Sequence, residues 1–286
     1  MEPDKRTRSI ASRGAALAAY EYGPRGPGVP SILFVHGYPD DHSVFRDAIA
    51  DLAADHHVLA YDTRNAGRSQ VAAGRRSCYR LPVLVDDLFA VIEASGAGAV
   101  HLVGHDWGSI QGWAAVQDPR AEGRILSFTS ISGPDLGHLR RWFRHRLRTP
   151  ALWPQLAGQA LRSSYTAAFQ LPVLPELAWR TFLARRYERL SGRDIGSNAT
   201  RGLALYRANW FARQQLSGRC TLPVQVILLR RDPFLSPHLA DGLRSWVALL
   251  DILEVDAGHW WPAEHGTDLA RVLRRRTAVP PAAPAG

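Results

Sequence analysis

The sequence predicts an α/β fold: an open, mostly parallel sheet with helices on its faces and a helical segment inserted toward its middle. Short β-branched runs alternate with helical periodicity over residues 15–133. The rhythm lapses over about 134–215 and resumes from 223 to 276. Strands alternating with helices imply βαβ units and a parallel sheet. A chain of 286 residues, 46% hydrophobic and 21% charged, can bury such a core.

Taken in order, "AALAAYEYG" (15–23) reads as a strand, ended by the Pro/Gly turn "PRGPGVP". "SILFVHG" (31–37) is a buried strand and "VFRDAIADLAA" (44–54) an amphipathic helix. "HHVLAYDT" (56–63) is the next strand. "LPVLVDDLFAVIEASG" (81–96) has apolar residues at helical spacing, with Gly96 as its stop. "AVHLVGHD" (99–106) and "RILSFTSISG" (124–133) are strands around a helix at 109–117.

Residues 134–215 contain no strand pattern and read as several helices broken by prolines 150, 154, 172 and 175. Strands at 223–232 and 247–259 then flank a helix at 238–246, and a last helix covers 262–276. The tail "TAVPPAAPAG" has little to bury and is expected to be disordered. A helical insertion in such a sheet reads as a lid over the carboxyl ends of the strands, where these folds bind ligands. The expected division is therefore a core of 1–133 and 216–286 with a lid of 134–215.

Net charge is +9 with a pI near 10.2, and Lys5 is the only lysine. Arginine clusters at 140–148 and 184–193 suit phosphate or carboxylate partners, and equally a coding bias toward arginine. They motivate an acidic substrate, or one delivered on an acidic carrier protein. No nucleic-acid module accompanies them, so no nucleic-acid partner is expected. No run of 18 apolar residues offers a membrane span, and the N-terminus has no apolar h-region of a signal peptide. Cys78 and Cys220 lack metal spacing, which fits a reduced, cytoplasmic chain without a disulfide.

Residues 100–109, "VHLVGHDWGS", have the strand, sharp turn and helix of a nucleophile elbow, G-x-S-x-G, but with Asp106 at the apex. Asp232 in "LLRRDPF" and His259 in "DAGHWW" also fall at strand ends. The order nucleophile, acid, histidine is that of one class of hydrolase triad. A histidine serves as base near neutral pH, and a carboxylate behind it fixes its tautomer. Each residue alone has a bland reading, since strand-end aspartates cap helices and His259 could be a surface histidine. Order and strand context together favour the triad. Asp135 in "SGPDLG" is a rival acid whose bland reading, a turn residue after Pro134, is preferred. Asp256 reads as a turn cap.

The Gly-x-Pro turn in "FVHGYPD" (34–40) leaves N–H groups at the ligand edge of the sheet. Tyr38 N–H and Trp107 N–H can then form an oxyanion hole. His36, Pro39 and Trp260 are expected against substrate. In "YDTRNAGRS" (61–69), Asp62 and Arg64 are expected to pair.

A serine attacking saturated carbon would leave an ether, whereas a carboxylate leaves an ester that water cleaves. Asp106 thus points to displacement at saturated carbon. Epoxides, alkyl halides and strained β-lactones are candidate substrates. An epoxide oxygen stays on the product and needs a proton, best from a phenol.

The set "HGYP", "YDTRNAGRS", "GHDWG", "RRDPF" and "GHWW" resembles the epoxide hydrolases of the α/β-hydrolase superfamily over nearly the whole chain. That resemblance implies an α/β-hydrolase fold with an inserted helical lid and a reaction without metal or organic cofactor. It also implies two lid tyrosines that activate the epoxide oxygen. "YTAAFQ" matches one such motif and places that role on Tyr165; "YRAN" matches the other more loosely and points to Tyr206. Haloalkane dehalogenases resemble the same motifs but typically carry Asn where Tyr38 stands, and fluoroacetate dehalogenases carry Arg where Trp107 stands. The family usually has Arg-Gly where this chain has Arg64-Asn65, and asparagine tolerates the positive φ such a turn requires. Some bacterial relatives are fused to a reductase domain, so the resemblance implies that this chain acts alone or with a separate partner enzyme. Dehalogenation and β-lactone opening are same-fold alternatives, and a non-catalytic interaction protein is the alternative of a different class.

Overall fold

The computed structural model describes residues 5–72, 76–210, 212 and 218–278; most of the tail expected to be disordered lies outside them. The strands are β1 (Lys5–Ser12), β2 (Ala15–Tyr22), β3 (Ser31–Val35), β4 (His57–Tyr61), β5 (Gln70–Val71), β6 (Val100–His105), β7 (Ile125–Ile131), β8 (Cys220–Leu229) and β9 (Val247–Val255). They form one sheet in the order β1-β2-β4-β3-β6-β7-β8-β9, with β5 beside β2. From β4 to β9 every neighbour is parallel, and β1 and β2 add an antiparallel edge.

Outside the insertion the helices are α1 (Arg46–Leu52), α2 (Leu81–Ser95) and α3 (Trp107–Ala115). The insertion holds α4 (Leu136–Leu147), α5 (Trp153–Arg162), α6 (Ser164–Ala168), α7 (Leu174–Ala178), α8 (Ala184–Ser191) and α9 (Asn198–Asn209). The closing pair is α10 (Trp261–Glu264) and α11 (Gly266–Thr277). Central strands buried on both faces explain the unbroken apolar runs of the sequence. Leu33 and Val35 of β3 join one core cluster with α2 and α3; Ile32 and Phe34 join another with α1 and α11. Alternation along one strand thus feeds two layers.

Between β7 and β8 no strand occurs among the described residues. The prolines there open helices as much as they break them. Pro154 and Pro175 stand in the first turns of α5 and α7, where a missing N–H costs nothing. Leu203, Leu205 and Tyr206 of α9 pack with Phe169, Trp179 and Tyr187 onto Tyr38 and Trp107 at the carboxyl edge of the sheet.

Several expectations need correction. Residues 238–246 are not one helix but two 3₁₀ turns, Pro237–Ala240 and Leu243–Ser245, split at Gly242 with φ +77°. The last helix is divided at His265, which leaves helical geometry at φ −134°. Arg64 does not pair with Asp62. It reaches the buried Asp87 of α2 through two contacts of 2.5 and 2.8 Å and donates to the carbonyl of Ser12. Asp62 instead accepts from the Tyr20 hydroxyl, His42 and Arg68 N–H. Asn65 adopts φ +59°, as the departure from glycine requires.

Candidate active site

Three loops at the carboxyl ends of β6, β8 and β9 bring Asp106, Asp232 and His259 together. Asp106 follows β6 directly and sits at φ +52°, ψ −120°, a strained conformation for a residue with a Cβ. Two glycines let neighbouring chain pass close by. A Cβ on Gly108 would meet the Val35 carbonyl oxygen at 2.0 Å, and one on Gly37 would meet the Asp106 carboxylate at 2.3 Å. The elbow seen in the sequence is therefore a tightly constrained turn.

The carboxylate oxygens of Asp106 face different groups. Oδ1 accepts from Tyr38 N–H at 2.7 Å, and the Trp107 N–H next along the chain favours the charged carboxylate. Oδ2 lies 3.9 Å from His259 Nε2. His259 Nδ1 contacts Asp232 Oδ2 at 2.8 Å. Asp232 Oδ1 in turn accepts from Phe234 N–H and Leu235 N–H, and the Asp232 carbonyl accepts from Arg162. His105, buried beneath, lies 3.0 Å from the His259 carbonyl and fixes the far side of that loop.

These contacts set the charges. Burial raises Asp106 to about 6, against the pull of His259 and two backbone N–H groups. Burial disfavours the His259 cation, yet the carboxylates of Asp232 and Asp106 outweigh it and raise the imidazole to about 8. Burial also works against the Asp232 anion, but His259 and the Phe234 N–H hold it below the ordinary range. At neutral pH the site thus rests as carboxylate, imidazolium, carboxylate.

Above Asp106 lies a cavity of about 570 Å³, within the range of small-molecule sites. Tyr165 of α6 and Tyr206 of α9 line it, their rings edge-on with centroids 6.0 Å apart. Burial and the Asp106 charge raise both phenols, which keeps them protonated donors. The walls are otherwise largely apolar, with Leu136, Leu139 and Phe143 of α4 and Phe234 after β8. Among the described residues, Asp106 and Arg140 are the only charged side chains that line it.

The remaining expected site residues stand further back. Trp260 packs edge-on against His259, with ring centroids 5.4 Å apart, and its Nε1 donates to Tyr187. His36 is 1% exposed and both ring nitrogens are held by backbone, Nδ1 at Gly37 O and Nε2 at Thr63 N–H. It has no nitrogen free for substrate. Pro39 is buried behind a cis Tyr38–Pro39 peptide and, like His36 and Trp260, is absent from the cavity lining. Asp135, expected as a turn residue after Pro134, instead caps α4 by accepting from His138 N–H. Asp256 is an exposed partner of Arg231.

Sequence reasoning missed the α4 wall and Arg140. Its signal was present in "LGHLRRWF", where Leu136, Leu139 and Phe143 recur at helical spacing. It also missed Asp40, which accepts from Tyr187 and Arg193 and so ties the insertion to the loop after β3.

A model of the alpha/beta hydrolase fold family matches residues 30–265. A protein of Mycobacterium tuberculosis named probable oxidoreductase EphD is 32% identical, over 91% of this chain and 47% of its own length. Mouse epoxide hydrolase 3 is 30% identical over 51% of this chain and 36% of its own. The chain spans about half the length, or less, of these curated relatives. Among solved structures, the Bacillus megaterium epoxide hydrolase in complex with an inhibitor superposes with a TM-score of 0.78 at 22% identity, covering 94% of this chain and 99% of that one. An epoxide hydrolase of Vigna radiata gives a TM-score of 0.74 at 22% identity.

Proposed function

The chain belongs to the alpha/beta hydrolase fold family, and from that premise we propose that it is an epoxide hydrolase acting through a covalent ester on Asp106. Asp106 Oδ2 attacks an epoxide carbon, forming a C–O bond as the strained C–O bond breaks. The alkoxide takes a proton from the Tyr165/Tyr206 pair. Oδ1, now the ester carbonyl, rests on the Tyr38 N–H, and with the Trp107 N–H this donor receives the charge of the tetrahedral intermediate. His259, held by Asp232, removes a proton from water as it attacks the Asp106 carbonyl carbon. The intermediate then expels Oδ2 with the product, which takes its proton from the His259 imidazolium to become a vicinal diol; a water oxygen remains in Asp106, and water's second proton restores the tyrosine pair. The helical insertion 134–215 acts as the lid.

The observation that carries the reading is the pair of phenols that line one cavity with Asp106, both held as donors by burial. A halide leaving group needs no such acid, so dehalogenation is disfavoured. Esterification also sets the timing. It removes the negative charge that helps to raise His259, so the imidazole loses its proton more readily once a base is needed.

The test is a single turnover in ¹⁸O-water with epoxide and haloalkane panels, followed by mass spectrometry of the Asp106 peptide. Label entering Asp106 with epoxides alone is expected. Label appearing in the diol and never in Asp106 would exclude the ester. In the same assay, Asp232→Asn should alkylate and then stall, while Asp135→Asn should turn over.

A further inference from the structure

Charge and exposed apolar surface gather on one part of this molecule. Residues 134–215 hold 14 of the 35 bases and 4 of the 26 acids, so the insertion carries +10 and the rest of the chain −1. Among the described residues, ten of the eleven large apolar side chains with high exposure also lie there. They include Trp153 at 53%, Leu161 at 76%, Leu174 at 60% and Phe182 at 58%. In the run from α7 to α8, Leu174, Leu177, Phe182 and Leu190 are interspersed with exposed Arg180, Arg185, Arg186 and Arg189.

We propose that the outer surface of the insertion docks on an anionic lipid bilayer, arginines at the headgroups and Trp, Phe and Leu side chains among the acyl chains. Concentrated exposed apolar side chains mark an interaction surface, and their mixture with cations chooses the partner. A second copy of this chain would set +10 against +10, which opposes symmetric pairing through this face. An acidic protein would answer the arginines but leave the protruding Trp153, Leu161 and Phe182 without an apolar medium. A headgroup layer over acyl chains satisfies both. The surface needs no spanning helix, and none of the described helices is long and apolar enough to cross a membrane.

The placement also relates to the cavity. Arg140, Phe143 and Trp210, all of the insertion, line it, so docking would bring an apolar substrate dissolved in the bilayer to the segment that walls the cavity. That second step rests on the epoxide hydrolase reading; the docking itself does not.

The test is flotation of the purified chain with vesicles of phosphatidylcholine alone, or of equal parts phosphatidylcholine and phosphatidylglycerol, across a salt series. Binding to the anionic vesicles, weakening as salt rises, is expected. Each arginine near such a surface contributes about fivefold in binding, so Arg185→Glu with Arg186→Glu should weaken it at least ~25-fold. Leu174→Ser with Phe182→Ser should weaken it as well. Both double variants should keep the parent rate on a small water-miscible epoxide, which separates lost docking from lost folding. No binding to anionic vesicles, equal and salt-independent binding to both kinds, or insensitivity to both variants would overturn the proposal. So would sedimentation showing that the parent dimerises through Phe182, or capture by an acidic protein alone. Vesicle binding without epoxide turnover would leave docking intact and remove the function proposed above.

Discussion

Under the proposed mechanism Asp106 is the residue on which the chemistry turns, and its surroundings set the pH at which it would work. As nucleophile it must be ionised, and burial places its titration at about 6. The protonated fraction grows below that value, so kcat/KM for an epoxide should fall on the acid side through a limb near pH 6. Asp106→Asn removes a negative charge that helps to hold His259 at about 8. The imidazole should then titrate at lower pH, which histidine NMR can follow; an unmoved His259 would mean that the two groups are not coupled. The meeting of Asp106, Asp232 and His259 was legible in the sequence because all three stand at strand ends. Arg64 was not. Its partner Asp87 lies 23 residues away on α2, and nothing in "YDTRNAGRS" distinguishes that bond from one to Asp62.

At the scale of elements, the same pair joins the turn after β4 to α2 and, through Ser12, to the β1–β2 hairpin. Arg64 is among the largest fully buried side chains. Arg64→Met should therefore strand the Asp87 carboxylate and cost about 3–5 kcal/mol in denaturant unfolding, more than typical single substitutions. Replacing both members by Met and Leu should recover most of the loss, because the pair stabilises less than breaking it destabilises. The long central elements were readable from apolar runs and helical period. β1 was not, because "KRTRSIAS" is an exposed edge strand with charged Lys5, Arg6 and Arg8 and no apolar alternation. The two 3₁₀ turns at 237–245 carried enough apolar residues to imitate one helix, and only the left-handed Gly242 betrays the break.

For the whole molecule, the basic insertion over a cavity lined by Arg140 predicts a salt effect that depends on substrate. An epoxide bearing a carboxylate should show an apparent KM that rises as ionic strength screens the arginines, while a neutral analogue of equal size should not. Stopped-flow or steady-state kinetics across a salt series checks this, and equal dependence for both substrates would remove the arginines from recognition.

The strained turn at position 106 belongs to the backbone and its glycine neighbours, not to the carboxylate. Its conformational cost is incurred whichever side chain occupies the apex. In evolutionary terms the scaffold has separated where a nucleophile stands from what that nucleophile is. A lineage could exchange this one side chain and so cross from saturated to acyl carbon without rebuilding the sheet, and the lid tyrosines would then be the trace of which chemistry had last been under selection.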